Sequence, residues 1–329
     1  MIDLVYLSFG TIVSYHQTLF SLYSFILHHD QSKFRINILT DNQDFFVQHC
    51  KALPVEYIAL NKETITKMRG EIDFVHRMKI ASIEMIFEKG AEKVLYVDSD
   101  TLFLKSIYQK ALKINQSSSL MHQHEFHFSK ASREEKESQT RKLYDLLKNQ
   151  EINFTNTDKE MAATTQFSSW NAGVVGIDRT NSSLLKQVFE LTDRFYKATG
   201  HHASEQFSFS YLLERCTTII TCEKEIFHYW PRVQKEKAAD YFKDFFESSS
   251  FNPSKDISMI TIKKAVTEVC RLLCQDPETL FSLSITSFYQ REYWKAYSGF
   301  LKAFYYGKRD LRSLKDIAHL SVRIVRGRS

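Results

Sequence analysis

The sequence predicts an α/β fold, in which a mainly parallel mixed sheet carries helices on both faces and precedes a helical C-terminal region. Two observations support this prediction. Short apolar runs typical of strands alternate with helical patterns through the first half of the 329-residue chain. Beyond about residue 238 the strand patterns fade, and the remaining segments have helical spacing. Such alternation favours a parallel sheet, because each helix returns the chain to the edge at which the previous strand began.

The elements follow in order from the N-terminus. Val5, Leu7 and Phe9 stand at period two, which predicts a first strand. A signal peptide is not expected there, because the segment has neither a basic region nor a small-residue cleavage pattern. The next segments are predicted as helix 15–28, strand 34–41, helix 44–53, strand 55–60, helix 74–88 and strand 94–97.

The middle of the chain is less regular. Residues 119–128, SLMHQHEFHF, are predicted as one strand with three histidines. The segments that follow are predicted as charged helix 132–149, polar loop 151–167, strand 170–178, helix 182–199, a helix capped by Ser204, and strand 217–222. SSSFNPS places a boundary near residues 235–255, which divides the chain into domains 1–235 and 236–329.

Charge and cysteine content narrow the class of protein. The tail 307–329 has seven Lys or Arg and two Asp, so it holds the whole formal charge of +5, and nucleic-acid binding is not expected. The five cysteines form neither a disulfide framework nor a zinc spacing, which favours a reducing, cytoplasmic location. No apolar run is long enough to span a membrane. The tail is predicted either to lie on an anionic inner membrane face or to pack on the protein.

Two aspartates end a buried strand in EKVLYVDSDTLFL. Asp98 and Asp100 would point to the same side if the strand stays extended through Ser99. Their carboxylates would repel one another unless a hard divalent cation such as Mg²⁺ or Mn²⁺ lies between them, and that cation could hold nucleotide phosphates. The alternative is a solvated acidic turn. Glycine-rich phosphate loops of the GxGxxG and GxxxxGK[ST] types are absent.

VLYVDSDTLFLKSI resembles the DxD block of GT-A fold glycosyltransferases, especially the retaining families that include glycogenins and bacterial lipooligosaccharide galactosyltransferases. Four further segments resemble family elements in the same order along residues 1–235: HRMKIASIEMIFEKG, WNAGVVGID, ASEQFSFSYLL and IFHYW. The resemblance implies a Rossmann-like GT-A domain that binds a nucleotide sugar. It also implies that residues 125–169 form an insertion facing the acceptor.

The resemblance implies roles for individual residues. The implied metal ligands are Asp98, Asp100 and His228, the implied donor contacts are Arg77, Lys79, Asp98, Asn171 and Gly173, and the implied catalytic residues are Glu205 and Gln206. Glu205 would act as a base or stabilise an oxocarbenium-like transition state. The chain departs from the family where Glu205-Gln206-Phe207 replaces Asp-Gln-Asp, and where Tyr229, Trp230 and Pro231 follow His228 in place of glycine and lysine.

Each of these residues also has a structural interpretation. Arg77 and Lys79 could lie on a solvated helix face, Glu205 could favour a helix start, and His228 could be a core histidine. Tyr15 could stack on the donor's nucleobase or pack in the core. If residues 119–128 are one strand, His122 and His124 share a face, where they form a metal site, line an acceptor cleft or cover a surface.

The predicted function is metal-dependent glycosyl transfer, that is, a hexosyltransferase. The enzyme would use Mn²⁺ or Mg²⁺ and move a sugar from a nucleotide diphosphate sugar, with a UDP-sugar favoured, to a glycan or lipid-linked acceptor. Retention of configuration is implied by the resemblance. The alternatives are an inactive nucleotide-sugar-binding scaffold and a sugar nucleotidyltransferase. SFGTIVSYHQ, with one glycine and no Lys or Arg, counts against the second alternative.

Overall fold

The computed structural model describes residues 1–51, 53–156, 159–247, 259–289, 292–308 and 311–325. The chain divides into two compact units, Met1–His228 and Tyr229–Ser329. The strands are β1 (Ile2–Ser8), β2 (Phe34–Thr40), β3 (Val55–Ala59), β4 (Lys93–Val97), β5 (Thr101–Phe103), β6 (Ser118–Met121), β7 (His124–His127), β8 (Asn153–Asn156), β9 (Lys159–Ala162), β10 (Ser168–Trp170), β11 (Val174–Asp178), β12 (Thr218–Thr221) and β13 (Ile226–His228).

Helices connect these strands in the first unit and make up the described part of the second. They are α1 (Ile12–Ile26), α2 (Gln43–His49), α3 (Lys62–Arg69), α4 (Arg77–Glu88), α5 (Tyr108–Ala111), α6 (Gln139–Lys148), α7 (Leu184–Thr199), α8 (Ser204–Cys216), α9 (Arg232–Glu247), α10 (Met259–Gln275), α11 (Pro277–Tyr289), α12 (Tyr293–Tyr305) and α13 (Leu311–Val325). The α/β class predicted from the sequence is confirmed.

The central sheet of the first unit has the strand order β12-β6-β11-β4-β1-β2-β3 within the described residues. β4, β1, β2 and β3 are mutually parallel, and β6 is parallel to β12. β11 runs antiparallel to both of its neighbours, β4 and β6. The sheet is therefore mixed but mainly parallel, as predicted, and the carboxyl ends of β1, β2, β4, β6 and β12 share one edge with the start of β11.

Helices cover both faces of this sheet. The Tyr6 hydroxyl lies 3.0 Å from Ser21 Oγ of α1. Its neighbour Val5 belongs to the buried cluster that contains Ile83 and Ile86 of α4. Because consecutive strand residues point to opposite faces, α1 and α4 lie on opposite sides of the sheet.

Several predicted elements differ from the observed ones. Residues 119–128 are two short strands, β6 and β7, that belong to different sheets and are separated at His122 and Gln123. The predicted loop 151–167 contains the antiparallel pair β8 and β9. The predicted strand 170–178 is interrupted between β10 and β11. The predicted helix 132–149 is shorter, because α6 begins at Gln139 behind the cap formed by Ser138.

Ser204 does not cap α8, contrary to the prediction. It is the first helical residue, and its hydroxyl donates to the backbone oxygen of His201 at 2.6 Å. Glu205 and Gln206 nevertheless lie in the first turn of that helix, as expected.

The second unit is helical throughout its described residues. Gln234 of α9 donates to the backbone oxygen of Leu273 in α10 at 2.9 Å. Phe281, Phe300 and Leu320 belong to a buried cluster shared by α11, α12 and α13. The segment 248–254, which suggested the domain boundary, lies outside the described residues, as do 309–310 and 326–329 of the basic tail.

Candidate functional site

Polar side chains gather at the carboxyl edge of the parallel strands. Asp98 follows β4 directly, and Asp41 follows β2. The backbone N–H of Asp98 donates to the carbonyl of Gly173, which stands just before the antiparallel strand β11. Residues 171–173 are therefore held beside Asp98, although 73 or more positions separate them along the chain. Ligands of open α/β sheets bind at this edge, so a binding site is expected here.

Three of the predicted metal ligands lie together there. One ligand atom from each of Asp98, Asp100 and His228 falls within 4.8 Å of the others. Antiparallel pairing of β5 with β13 sets Thr101 opposite His228, which brings the His228 ring to Asp100. The distance from His228 Nε2 to Asp100 Oδ1 is 3.2 Å, and both side chains are buried. Carboxylate oxygens and an imidazole nitrogen form a donor set that fits Mn²⁺ well and Mg²⁺ less well.

The protonation pattern of the His228 ring follows from its neighbours. Asn171 Oδ1 accepts a hydrogen bond from the backbone N–H of Gly173 at 3.0 Å, so this atom is the amide oxygen. The same oxygen lies 2.9 Å from His228 Nδ1, which must therefore carry a hydrogen. In the neutral ring the lone pair is then on Nε2, the atom that faces Asp100. A carboxylate and an imidazole lone pair at 3.2 Å call for a cation or a proton between them.

Gly173 makes room for this histidine. A Cβ at position 173 would lie 2.2 Å from His228 Nδ1 and 2.3 Å from Cε1, far inside contact distance. The ring is packed against the glycine backbone on one side and held by Asn171 on another. Gly173 therefore has a structural reason to be glycine that needs no direct contact with a donor.

Replacing Gly173 with alanine is expected to displace His228 and weaken Mn²⁺ binding by roughly tenfold or more, because supporting residues of a metal site typically contribute that much. The overpacking should also lower the free energy of unfolding by about 1–3 kcal/mol. Gly176→Ala is the matched control, since its Cβ would meet Ile114 and Leu120 instead. Mn²⁺ titration followed by electron paramagnetic resonance should show weakened binding only in the first variant, and equal weakening in both would contradict the assignment.

A buried lysine lies beside the candidate metal ligands. The Lys79 ammonium donates to Asp98 Oδ2 at 3.2 Å, to Glu205 Oε1 at 3.0 Å and to the backbone oxygen of Ala172 at 2.7 Å. These three bonds use its three hydrogens. Only 5% of Lys79 and 3% of Glu205 are exposed. Lys79 thus links the aspartate of β4 to the first turn of α8, and it is not on a solvated helix face.

Lys79 and Glu205 hold each other in the ionised state. Burial would lower the pKa of Lys79, but the carboxylates of Asp98 and Glu205 outweigh burial and raise the pKa well above its ordinary value. Burial likewise would raise the pKa of Glu205, yet the Lys79 ammonium and other nearby donors hold it below its usual range. Tyr96, in β4, is buried, and its hydroxyl also bonds to Asp98, so its pKa is raised strongly.

A second network joins the predicted catalytic residue Gln206 to Asn171 through Glu125. Gln206 Nε2 donates to Glu125 Oε2 at 2.8 Å, and Asn171 Nδ2 donates to Glu125 Oε1 at 3.0 Å. Ser169 Oγ donates to Oε2 at 2.9 Å. Glu125 was not among the residues predicted from the sequence. Glu125 is the single acidic residue within HQHEFHF, whereas the predictions for that segment concerned its three histidines.

Tyr15 lies at the same edge, near the ends of β1 and β2. Its hydroxyl donates to Asp41 Oδ1 at 2.7 Å, and the other oxygen of that carboxylate accepts from the backbone N–H of Gly10 at 3.0 Å. Burial and the Asp41 carboxylate raise the pKa of Tyr15 to about 12, so the phenol stays protonated. Its ring contacts Phe45, with 5.2 Å between centroids. Tyr15 packs with aromatic neighbours and borders the sheet edge, so stacking on a base stays a prediction.

Arg77 is engaged away from the Asp98 cluster. Its guanidinium donates to Asp193 of α7 at 2.9 Å and to the backbone oxygen of Met68 at 3.0 Å, and it lies over the ring of Phe189. These contacts tie α4 to α3 and α7. Its predicted contact with the donor stays a prediction.

His122 and His124 do not share a face of one strand, contrary to the prediction, because residues 119–128 are not a single strand. His122 lies in the break between β6 and β7, where its Nε2 donates to the backbone oxygen of Ile226 at 2.9 Å. Burial lowers its pKa to about 4, and its ring meets that of His228 edge-on at 5.5 Å. His124 is exposed against Trp170, and His127 bonds to Ser129. Among the described residues, the Asp98, Asp100 and His228 group is the candidate metal cluster, and it includes none of these three.

The described part of the basic tail is helical, as α13. No helix among the described residues combines the length and the apolar character needed to cross a bilayer.

Comparison with known proteins gives distant structural likenesses. No family model matches the chain, and no curated protein matches it. The galactosyltransferase LgtC, solved with donor and acceptor sugar analogues, is similar with a TM-score of 0.43 and 13% identity, over 74% of this chain and 94% of that chain. Mouse xyloside xylosyltransferase 1 is similar with a TM-score of 0.43 and 10% identity, over 75% and 94%. The glycosyltransferase GlyE of Streptococcus pneumoniae TIGR4 is similar with a TM-score of 0.41 and 12% identity, over 81% of this chain and 61% of that chain. The three are glycosyltransferases.

Proposed function

We propose that the protein is a metal-dependent glycosyltransferase that uses a nucleotide diphosphate sugar. The observation that carries this proposal is the group of half-buried Asp98 with buried Asp100 and His228 at the carboxyl edge of a mainly parallel sheet. Two carboxylates and one imidazole so close together offer ligand atoms to a cation, and a hard divalent cation at this edge can receive a diphosphate. Mn²⁺ or Mg²⁺ bound there would offset the charge that develops on the departing nucleoside diphosphate.

The residues of the chain have distinct tasks in this proposal. Asp98, Asp100 and His228 hold the cation, and Asn171 with Gly173 orient the His228 ring. Lys79 is paired with Asp98 and with Glu205, so it joins the metal-binding group to the first turn of α8. Tyr15 and Asp41 border the place where a nucleobase would lie beyond the ends of β1 and β2.

The finer parts of the proposal rest on the sequence. Five motifs in family order support a UDP-sugar donor, a glycan or lipid-linked acceptor, transfer with retention and the roles of Arg77, Glu205 and Gln206 at the reacting centre. We also propose a cytoplasmic location with peripheral contact to an anionic membrane through residues 307–329, whose charge supports it.

A nucleotide-sugar-binding scaffold without turnover is the second candidate. It is favoured by the engagement of both predicted catalytic residues within the protein. Glu205 is buried against Lys79, and Gln206 bonds to Glu125, Ser169 and the backbone N–H of Ala172. Turnover would require one of these side chains, or an acceptor group, to reach the anomeric carbon.

A panel of UDP- and GDP-sugars tests the proposal. With Mn²⁺ present, one UDP-sugar at about 100 times its Kd is expected to stabilise the protein by about 2.7 kcal/mol, seen as a rise in Tm, and to be slowly hydrolysed. The rise should vanish when EDTA replaces Mn²⁺. A rise in Tm without hydrolysis or transfer to any acceptor would favour the scaffold. If no member of the panel raises the Tm, both candidates are contradicted.

A further inference from the structure

We propose that Glu125 is a positioning residue that fixes the amides of Asn171 and Gln206 and so sets the ring tautomer with which His228 meets a metal ion. This inference rests on the metal-binding part of the proposed function, and it does not depend on sugar transfer. It assigns a task to a carboxylate that lies outside the group of metal ligands.

Backbone geometry aims Glu125 at the two amides. In the antiparallel pairing of β7 with β10, Phe126 stands opposite Ser169 and His124 stands opposite Trp170. The register therefore shifts, and Glu125 is an additional residue on β7 between these two pairs. Such a bulge redirects a side chain out of the regular alternation of the strand. Here it coincides with three side-chain donors that converge on the Glu125 carboxylate.

All three partners of this carboxylate donate to it. Asn171 Nδ2 meets Oε1, while Gln206 Nε2 and Ser169 Oγ both meet Oε2, at distances from 2.8 to 3.0 Å. No neutral side chain of this size offers acceptors at both ends. An ionised glutamate thus satisfies a demand that a glutamine cannot satisfy.

The far ends of both amides are fixed by backbone N–H groups. Gln206 Oε1 accepts from Ala172, and Asn171 Oδ1 accepts from Gly173. Each amide is therefore held in one of its two orientations, with the oxygen toward the backbone and the nitrogen toward Glu125. The Asn171 oxygen then accepts the hydrogen of His228 Nδ1, which leaves Nε2 free to bind the metal.

Glu125→Gln would place one NH₂ group against a donor. Because two donors meet Oε2 and only Asn171 meets Oε1, the glutamine oxygen should stay at the Oε2 end and the NH₂ should face Asn171. The Asn171 amide then turns over and presents NH₂ to His228 Nδ1, which must accept rather than donate. The hydrogen of the neutral ring moves to Nε2 and blocks the position that faces Asp100. Outer partners of metal-bound histidines typically change metal affinity by about 10–100-fold, and a loss of this size is expected here.

The experiment combines metal affinity with the tautomer of the metal-free ring. Mn²⁺ titration of the whole chain, followed by electron paramagnetic resonance, is expected to show the roughly 10–100-fold loss for Glu125→Gln. Two-bond ¹H–¹⁵N spectra of the metal-free protein near pH 8, assigned with His228→Asn, should show the Nδ1–H tautomer in the wild type and loss of that pure state in the variant.

Ser169→Ala is the matched control, because it removes a donor to the same carboxylate and an acceptor of the Gln206 amide without touching Asn171. It should keep the tautomer and nearly all of the affinity. If Glu125→Gln does not fold, Glu125→Asp, which shortens the reach of the carboxylate, should show a smaller loss of affinity. The proposal would be overturned if the His228 ring of the wild type is in the Nε2–H form. It would also be overturned if the folded Glu125 variant keeps the wild-type Mn²⁺ affinity, or if Ser169→Ala loses as much Mn²⁺ affinity as that variant. Absence of Mn²⁺ binding by the wild type would instead overturn the proposed metal-dependent function.

Discussion

Replacing Asp100 with asparagine is expected to reduce Mn²⁺ affinity by more than about 100-fold, and metal-dependent turnover with it, because a direct ligand should matter more than the outer partners that contribute 10–100-fold. The substitution keeps the size of the side chain but removes its negative charge. It also leaves His228 Nε2 opposite an amide instead of a carboxylate. Mn²⁺ titration and donor hydrolysis measure the two effects.

Asp44→Asn provides the control, since Asp44 is an exposed acid at the start of α2. It should leave both quantities unchanged. A melting curve close to that of the wild type would show that Asp100→Asn acts on the site and not on folding. Full activity of Asp100→Asn with Mn²⁺ would mean that the metal assignment is wrong.

Replacing Lys79 with methionine is expected to lower the free energy of unfolding by about 3–5 kcal/mol at pH 7, because it leaves two carboxylates near one another without their buried cation. Methionine fills a similar volume, so packing contributes little to the loss. Denaturant unfolding of the wild type and the variant measures the difference. Lys67→Met, at an exposed position on α3, should cost almost nothing.

The cost of Lys79→Met should depend on pH in a defined direction. In the wild type the pKa of Glu205 is held below its ordinary value, so its stabilising contribution is present at neutral pH and declines as the pH falls through that lowered pKa. Without the ammonium, burial raises the pKa of Glu205 above its ordinary value. Acidification then neutralises a destabilising charge in the variant, and the difference in stability should narrow between pH 7 and pH 5.

A loss below about 1 kcal/mol, or one that does not vary with pH, would contradict the view of Lys79 as the buried partner of both acids. The variant Lys79→Met/Glu205→Gln refines the test. Because it removes the charge that Lys79 compensates, it should be more stable than Lys79→Met alone.

The sheet and two of the candidate metal ligands could be predicted because they depend on local patterns. Period-two and helical spacing predict β1 to β4 with α1, α2 and α4, though not α3, and the carboxyl edge of a parallel sheet is a general place for polar residues. Asp98 and Asp100 therefore stood out, and motif order supplied His228. The route by which His228 reaches Asp100, through pairing of β5 with β13, is a long-range contact that local spacing does not encode.

The parts of the site that the sequence did not predict depend on register and direction. The Glu125 side chain reaches Asn171 because of a one-residue shift between β7 and β10. Residues 119–128 were predicted as one strand, whereas the chain leaves one sheet for another at His122 and Gln123. Lys79 has helical surroundings that fit an exposed or a buried face equally well. Its burial is set by Asp98 and Glu205, which arrive from other elements.

The most direct test is the affinity for UDP with and without Mn²⁺, measured by titration calorimetry on the wild type. If Asp98, Asp100 and His228 hold a cation that receives a diphosphate, UDP should bind at least about tenfold more tightly with Mn²⁺ than with EDTA, and by linkage UDP should tighten Mn²⁺ binding equally. Equal UDP affinity in both conditions, or no binding in either, would contradict the proposed site.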